Sequence, residues 1–201
     1  MRTIFALLSG LLSFSLAAQT SFGPQNLVSE TSSWASSVYA TDFDGDGDAD
    51  LVAASFFGTT VAWYENLGGS FGPQQVLTSN ADFASNVYAT DLDGDGDADV
   101  LSTSRFDGKI AWYENLGGGS FGPQQMITTA ADFVLSVYAT DLDGDGDADV
   151  LSASQGDDKI AWYENLLTPL PCDPITSQPT DQTVNMGNDA TFTFTDSLTA
   201  A

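Results

Sequence analysis

The chain has 201 residues, with 28 acids against 4 bases, no histidine and a formal charge of −24. Without basic clusters to meet phosphates nucleic acid is excluded as a partner, and without histidine imidazole triads and imidazole metal sites are excluded too. Hydrophobic residues at 42% and aromatics at 11% are enough for a folded core.

In chain order, residues 1–18 read as a signal peptide. Arg2 supplies a short positive start, Ile4–Leu16 is apolar or small throughout, and "SLAAQ" offers small residues for cleavage near Ala17 or Ala18. The apolar run is too short to span a bilayer, and no other stretch is a transmembrane candidate. The expected location is therefore outside the cell, secreted or at the cell surface, with the mature chain starting near Gln19.

A repeat follows. "FGPQNLV" begins at Phe22, "FGPQQVL" at Phe71 and "FGPQQMI" at Phe121, a period of 49 and then 50. Each is followed by "VYATD", an acidic run and "AWYENL". A fixed period of this length marks one supersecondary unit per copy. Approximate copies are 22–70, 71–120 and 121–167. Within them β-branched and aromatic residues alternate, and Gly, Asp, Asn and Pro punctuate. In the third copy strands are expected at Ser136–Thr140, Asp149–Ser154 and Lys159–Asn165, with a fourth of the "FGPQQ" type opening the next unit. No sustained helical period occurs outside the leader. The fold class is all-β: β-propeller blades, three four-stranded repeats in an open arc or partial propeller. The third copy lacks its own fourth strand, and Phe22–Val28 is a spare one, the offset with which propellers close by strand exchange. An open arc exposes strand edges and apolar faces to self-association.

The acidic runs carry the chemistry. "ATDLDGDGDADVLS" occupies Ala89–Ser102 and again Ala139–Ser152, and "ATDFDGDGDADLVA" occupies Ala40–Ala53. Each sets five aspartates at positions 1, 3, 5, 7 and 9, so fifteen of the 28 acids lie in three loops. Crowded carboxylates repel and raise one another's pKa unless a cation neutralises them. The glycines let the backbone turn so that side chains at 1, 3, 5 and 9 converge. An all-oxygen donor set in a flexible loop favours calcium over magnesium or zinc. It is not an EF-hand, since position 12 holds Ala53, Ser102 or Ser152 instead of a bidentate Glu.

The run D-x-D-G-D-G-x-x-D-[VL], preceded by "VYATD" and followed by "ENLGGGSFG", resembles the FG-GAP/VCBS-type repeat of integrin-alpha-like propellers, from Phe22 to about Leu167. The resemblance implies carboxylate ligands at positions 1, 3, 5 and 9: Asp42, Asp44, Asp46 and Asp50; Asp91, Asp93, Asp95 and Asp99; Asp141, Asp143, Asp145 and Asp149. It implies main-chain oxygens from Asp48, Asp97 and Asp147. About one Ca²⁺ per repeat, three in all, is expected, in a structural role.

Residues 168–174 read as a linker containing the lone Cys172. From Asp173 the chain is similar to the opening strands of bacterial immunoglobulin-like domains, with Phe194 where such domains often carry a cysteine. Residues 175–201 are then an incomplete sandwich segment, since a whole one needs about 100 residues.

No group breaks the repeat in the way a catalytic set would. Glu65, Glu114 and Glu164 recur in "WYEN", which favours a role in the fold over a glycosidase pair. Trp63, Trp112 and Trp162 recur too and read as packing between blades. Trp34, Phe83 and Phe133, each ahead of a first strand, fit either a binding rim or the core. The leading expectation is a non-catalytic, secreted, calcium-binding scaffold for extracellular adhesion or recognition of a protein or glycan. The opposing one is a non-catalytic accessory region of a larger secreted enzyme, such as a polysaccharide-degrading one.

Overall fold

The computed structural model describes residues 22–167. The expected signal peptide, the linker with Cys172 and the immunoglobulin-like segment lie outside the described residues.

Three antiparallel sheets follow one another along the chain. The first holds β1 (Ala35–Thr41), β2 (Asp50–Ser55), β3 (Thr60–Tyr64) and β4 (Gln75–Thr78) in that order. The second repeats it with β5 (Ala84–Thr90), β6 (Asp99–Ser104), β7 (Lys109–Tyr113) and β8 (Gln125–Thr128). The third has β9 (Val134–Thr140), β10 (Asp149–Ser154) and β11 (Lys159–Tyr163) and no fourth strand among the described residues. This is the all-β, unclosed arc of propeller blades that the repeat predicts, with no helix among the described residues. Strands β1, β5 and β9 pack on one another from blade to blade, so the first strand of each blade lies innermost.

The fourth strand differs from expectation in where it starts. Its ladder starts after "FGPQ", at Gln75 and Gln125, while Phe71 and Phe121 make only isolated bridges to Asn66 and Asn115. Pro73 and Pro123 explain this, since proline has no N–H to give a ladder. As expected, the strand opens the next sequence copy and completes the blade before it, so each sheet ends about eight residues into that copy. The spare segment Phe22–Val28 is not a strand: it pairs with nothing among the described residues, and Phe22 is 94% exposed.

Alternation along each strand gives every blade two apolar faces, and successive blades bury them against each other. Phe43, Val52, Ala54, Val61 and Trp63 of the first blade meet Ala84, Val87, Ala89, Val100 and Tyr113 of the second. Leu92, Leu101 and Ile110 on the other side of the second blade meet Val134, Val137, Ala139 and Val150 of the third. Burial on this scale contributes about 25 cal/mol per Å² of apolar surface, which makes the two seams the main source of cohesion. The inner strands are also tied: Ser36 Oγ donates to the Ala84 carbonyl at 2.7 Å, and Ser85 Oγ to that of Val134 at 2.9 Å.

Candidate metal centre

Each acidic run connects the first two strands of its blade, placing the site in a turn whose ends are fixed by the β1–β2, β5–β6 and β9–β10 ladders. In each loop, three aspartates bring carboxylate oxygens within 4.8 Å of one another: Asp42, Asp44 and Asp50; Asp91, Asp93 and Asp99; Asp141, Asp143 and Asp149. Positions 1, 3 and 9 thus converge as the spacing predicts. Position 5 stands apart: Asp46, Asp95 and Asp145 are not in these triads, and each accepts the N–H of position 7 at 2.9–3.0 Å. At position 7 the Asp48 and Asp97 carboxylates lie instead beside Gly68 and Gly117 of the following turn.

The loop is pinned by its own main chain. Asp91 accepts from Gly94 and Gly96 at 2.7 and 2.9 Å through its two oxygens, and Asp42 and Asp141 do the same in their loops. Gly94 and Gly96 hold φ of 80° and 98°, a region closed to most side chains, and space around Gly96 is open. Conformation, not crowding, requires glycine there.

The ninth-position aspartate is the anchor. Asp99 is fully buried and accepts from Leu92 N at 2.9 Å and Asn115 N at 2.7 Å. Asp50 and Asp149 repeat the pattern with Phe43 and Asn66, and with Leu142 and Asn165. The asparagine of "WYEN" therefore belongs to the site, a role the sequence reading did not assign. Its signal was present, because the residue recurs in register with the glutamate beside it in all three copies. In two blades it also reaches backwards across the seam. Asn115 Nδ2 donates to the Phe43 carbonyl at 2.9 Å, and Asn165 Nδ2 to that of Leu92 at 2.7 Å.

Charge in the triads has no cationic partner among the described residues. The two ion pairs there, Lys109–Asp107 and Lys159–Asp157, involve none of these aspartates. The consequence shows in the acidities. Burial pushes Asp99 up to about 7 despite two N–H donors, with Asp93 and Asp95 adding repulsion. Burial and then neighbouring carboxylates also raise Asp44, Asp93 and Asp143. A carboxylate cluster anchored on one buried member, without a counter-charge and made only of oxygen donors, fits a hard divalent cation.

The remaining singled-out residues divide between seams and surface. Trp63 is buried in the first seam, edge-to-face with Phe43 and Phe121 at 67° and 62° and under Gly119, where a Cβ would stand 2.6 Å from its ring. Trp112 packs into the second seam, whereas Trp162 has no following blade among the described residues and is 46% exposed. Glu114 accepts from the Gln125 amide at 3.3 Å, and its main-chain oxygen accepts from Gly122 N. Trp34, Phe83 and Phe133 share a left-handed φ of 52–55°. With Phe56, Phe57 and Phe106 they form one edge-to-face run across the blades, at centroid distances of 4.3–5.4 Å.

Blades of one sheet each, with an acidic loop between the first two strands, define a repeat protein of the β-propeller class. The family model for the FG-GAP-like repeat matches residues 42–102 and 91–152, and the chain belongs to that family. No curated protein matches the chain. Among solved structures it is similar to an Agrocybe aegerita lectin, described for specific recognition of non-reducing terminal N-acetylglucosamine. The identity is 24% and the TM-score 0.44, over 58% of this chain and 32% of that one. The chain thus spans about a third of that structure's length.

Proposed function

We propose that the chain is a secreted, calcium-stabilised scaffold for extracellular recognition, with no catalytic step of its own. The observation that carries this is the triad of carboxylates within 4.8 Å, built three times and left without a cationic partner. Asp42, Asp44 and Asp50, and their counterparts, would hold the ion in each loop. Asp46, Asp95 and Asp145 lie close enough in sequence to join by a side-chain rotation, and Asp48, Asp97 and Asp147 can lend main-chain oxygens. Bound calcium supplies charge neutralisation, and the loops' own hydrogen bonds then hold the turn.

Magnitudes favour a structural role over signalling. Extracellular modules bind calcium with Kd near ~10⁻⁴ M, so at about 1 mM each site adds roughly 1.4 kcal/mol. Three sites would supply about 4 kcal/mol, a large share of a typical stability of 5–15 kcal/mol. Recognition is supported by the aromatic run, in which Trp34, Phe57 and Phe106 remain exposed. Such a strip of large apolar side chains at one rim suits a protein or glycan partner.

Calorimetric titration of the metal-free chain with calcium should give three ions per chain. Asp95→Ala should weaken one of them, and Asp91→Ala should abolish one, leaving two in each case where the site is lost. Absence of binding, or a stoichiometry unchanged in Asp91→Ala, contradicts the assignment.

A further inference from the structure

The two seams inside the chain are copies of one interface, and each end of the arc presents one half of it. The face that the first blade buries with Tyr39, Phe43, Val52, Val61 and Trp63 corresponds in the third blade to Tyr138, Leu142, Leu151, Ile160 and Trp162. There it is open: Ile160 is 89% exposed, and Tyr138 and Leu142 are about half exposed. The opposite face, buried in the second blade as Val87, Ala89 and Val100, corresponds in the first to Val38, Ala40 and Leu51. Val38 is 64% exposed, against 3% for Val87.

Three further features are left incomplete in the same direction. The outer edge of β11 carries no strand among the described residues, while β3 and β7 carry β4 and β8. Phe22–Ser29 repeats the sequence that becomes β4 and β8, stands the same distance ahead of β1 as they do of β5 and β9, and pairs with nothing among the described residues. Asn66, unlike Asn115 and Asn165, makes no bond across a seam, and its amide reaches only its own blade's Ala49 carbonyl at 3.0 Å.

We propose that the third blade of one copy receives the first blade of a second copy, head to tail, reproducing the internal seam. One placement meets every unfilled feature. Val38, Ala40 and Leu51 cover Ile160, Trp162 and Leu142. Asn26–Ser29 adds to β11 with the register of β4 on β3, so that Leu27 faces Ala161 as Val76 faces Ala62. Asn66 Nδ2 donates to the Leu142 carbonyl of the other copy's third acidic loop, as Asn115 does to Phe43. Ser136 Oγ accepts from Val38 N, as Ser37 Oγ does from Val87 N. The contact is heterologous, so it must either close or polymerise. Two copies supply six blades, within the four to eight of closed propellers, and the expected product is a two-chain ring.

The test is the association state of the full chain in calcium, by sedimentation velocity and light scattering from micromolar concentration upward. The chain should be a dimer, and Ile160→Glu and Val38→Glu should each be monomeric. Both side chains are exposed in the single chain, so neither change disturbs its core. Mixing the two variants is the decisive arm. Ile160→Glu keeps an intact first blade and Val38→Glu an intact third, so the mixture alone should recover a one-seam dimer. A monomeric wild-type chain, whether its third blade is covered by residues 168–201 or by solvent, overturns the proposal. So does association that survives both substitutions, or a mixture that stays monomeric.

Discussion

The side-chain amide of Asn115 lies 2.9 Å from the main-chain oxygen of Phe43, bonding the second blade to the acidic loop of the first. The same amide reaches Ala98 O at 3.2 Å, and Asn115 N holds the Asp99 carboxylate. One buried residue therefore ties together two loops and one seam.

Asn115→Ala should accordingly cost about 1–3 kcal/mol, because it removes two bonds donated by a buried amide, leaving Phe43 O with Gly119 N alone and Ala98 O without its side-chain donor. Asn66→Ala should cost less in the monomer, since Asn66 is half-buried and its amide holds only Ala49 O. Urea denaturation of the two variants checks this. Equal losses would mean that the bond across the seam contributes little.

Gly96→Ala tests the turn itself. A Cβ there meets open space, so only the φ of 98° opposes it, at a cost of about 1–2 kcal/mol. Gly23→Ala, with equally open space and no positive φ, should change stability negligibly. Thermal melts of the two, compared with the unmodified chain, separate conformational strain from added bulk.

The metal-free chain should lose stability as pH rises. Asp99 holds its proton up to about pH 7 when folded but releases it near 4 when unfolded. Between those values the native state binds more protons, and stability then falls with increasing pH. In EDTA the Tm should be higher at pH 5 than at pH 7.5, and Asp99→Asn should flatten the difference. Calcium competes with the same protons, so its affinity should rise over the same window. A Tm in EDTA that climbs from pH 5 to pH 7.5 would contradict this picture of the loops.

Much of the architecture was legible because the chain states it three times. Period, alternation and turn residues located the strands, and the D-x-D-G-D-G spacing located the loops. What local pattern could not show was partnership across distance. Phe22–Val28 has the letters of a strand, but a strand needs an edge to lie on, and within one chain the segment is paired with none, the open edge of β11 included. In the loops, identical spacing could not separate Asp95 from Asp93: each accepts the N–H two residues on, yet only Asp93 converges with Asp91 and Asp99. The Asn115 amide escaped notice because its acceptor, Phe43 O, lies 72 residues away.

The central claim is that a divalent ion neutralises the three acidic turns and so stabilises the arc. Melting the full chain in about 1 mM calcium and again in EDTA addresses it most directly. At roughly 4 kcal/mol for three sites, the Tm in calcium should be higher by about 10 °C. Superimposable curves would contradict the claim.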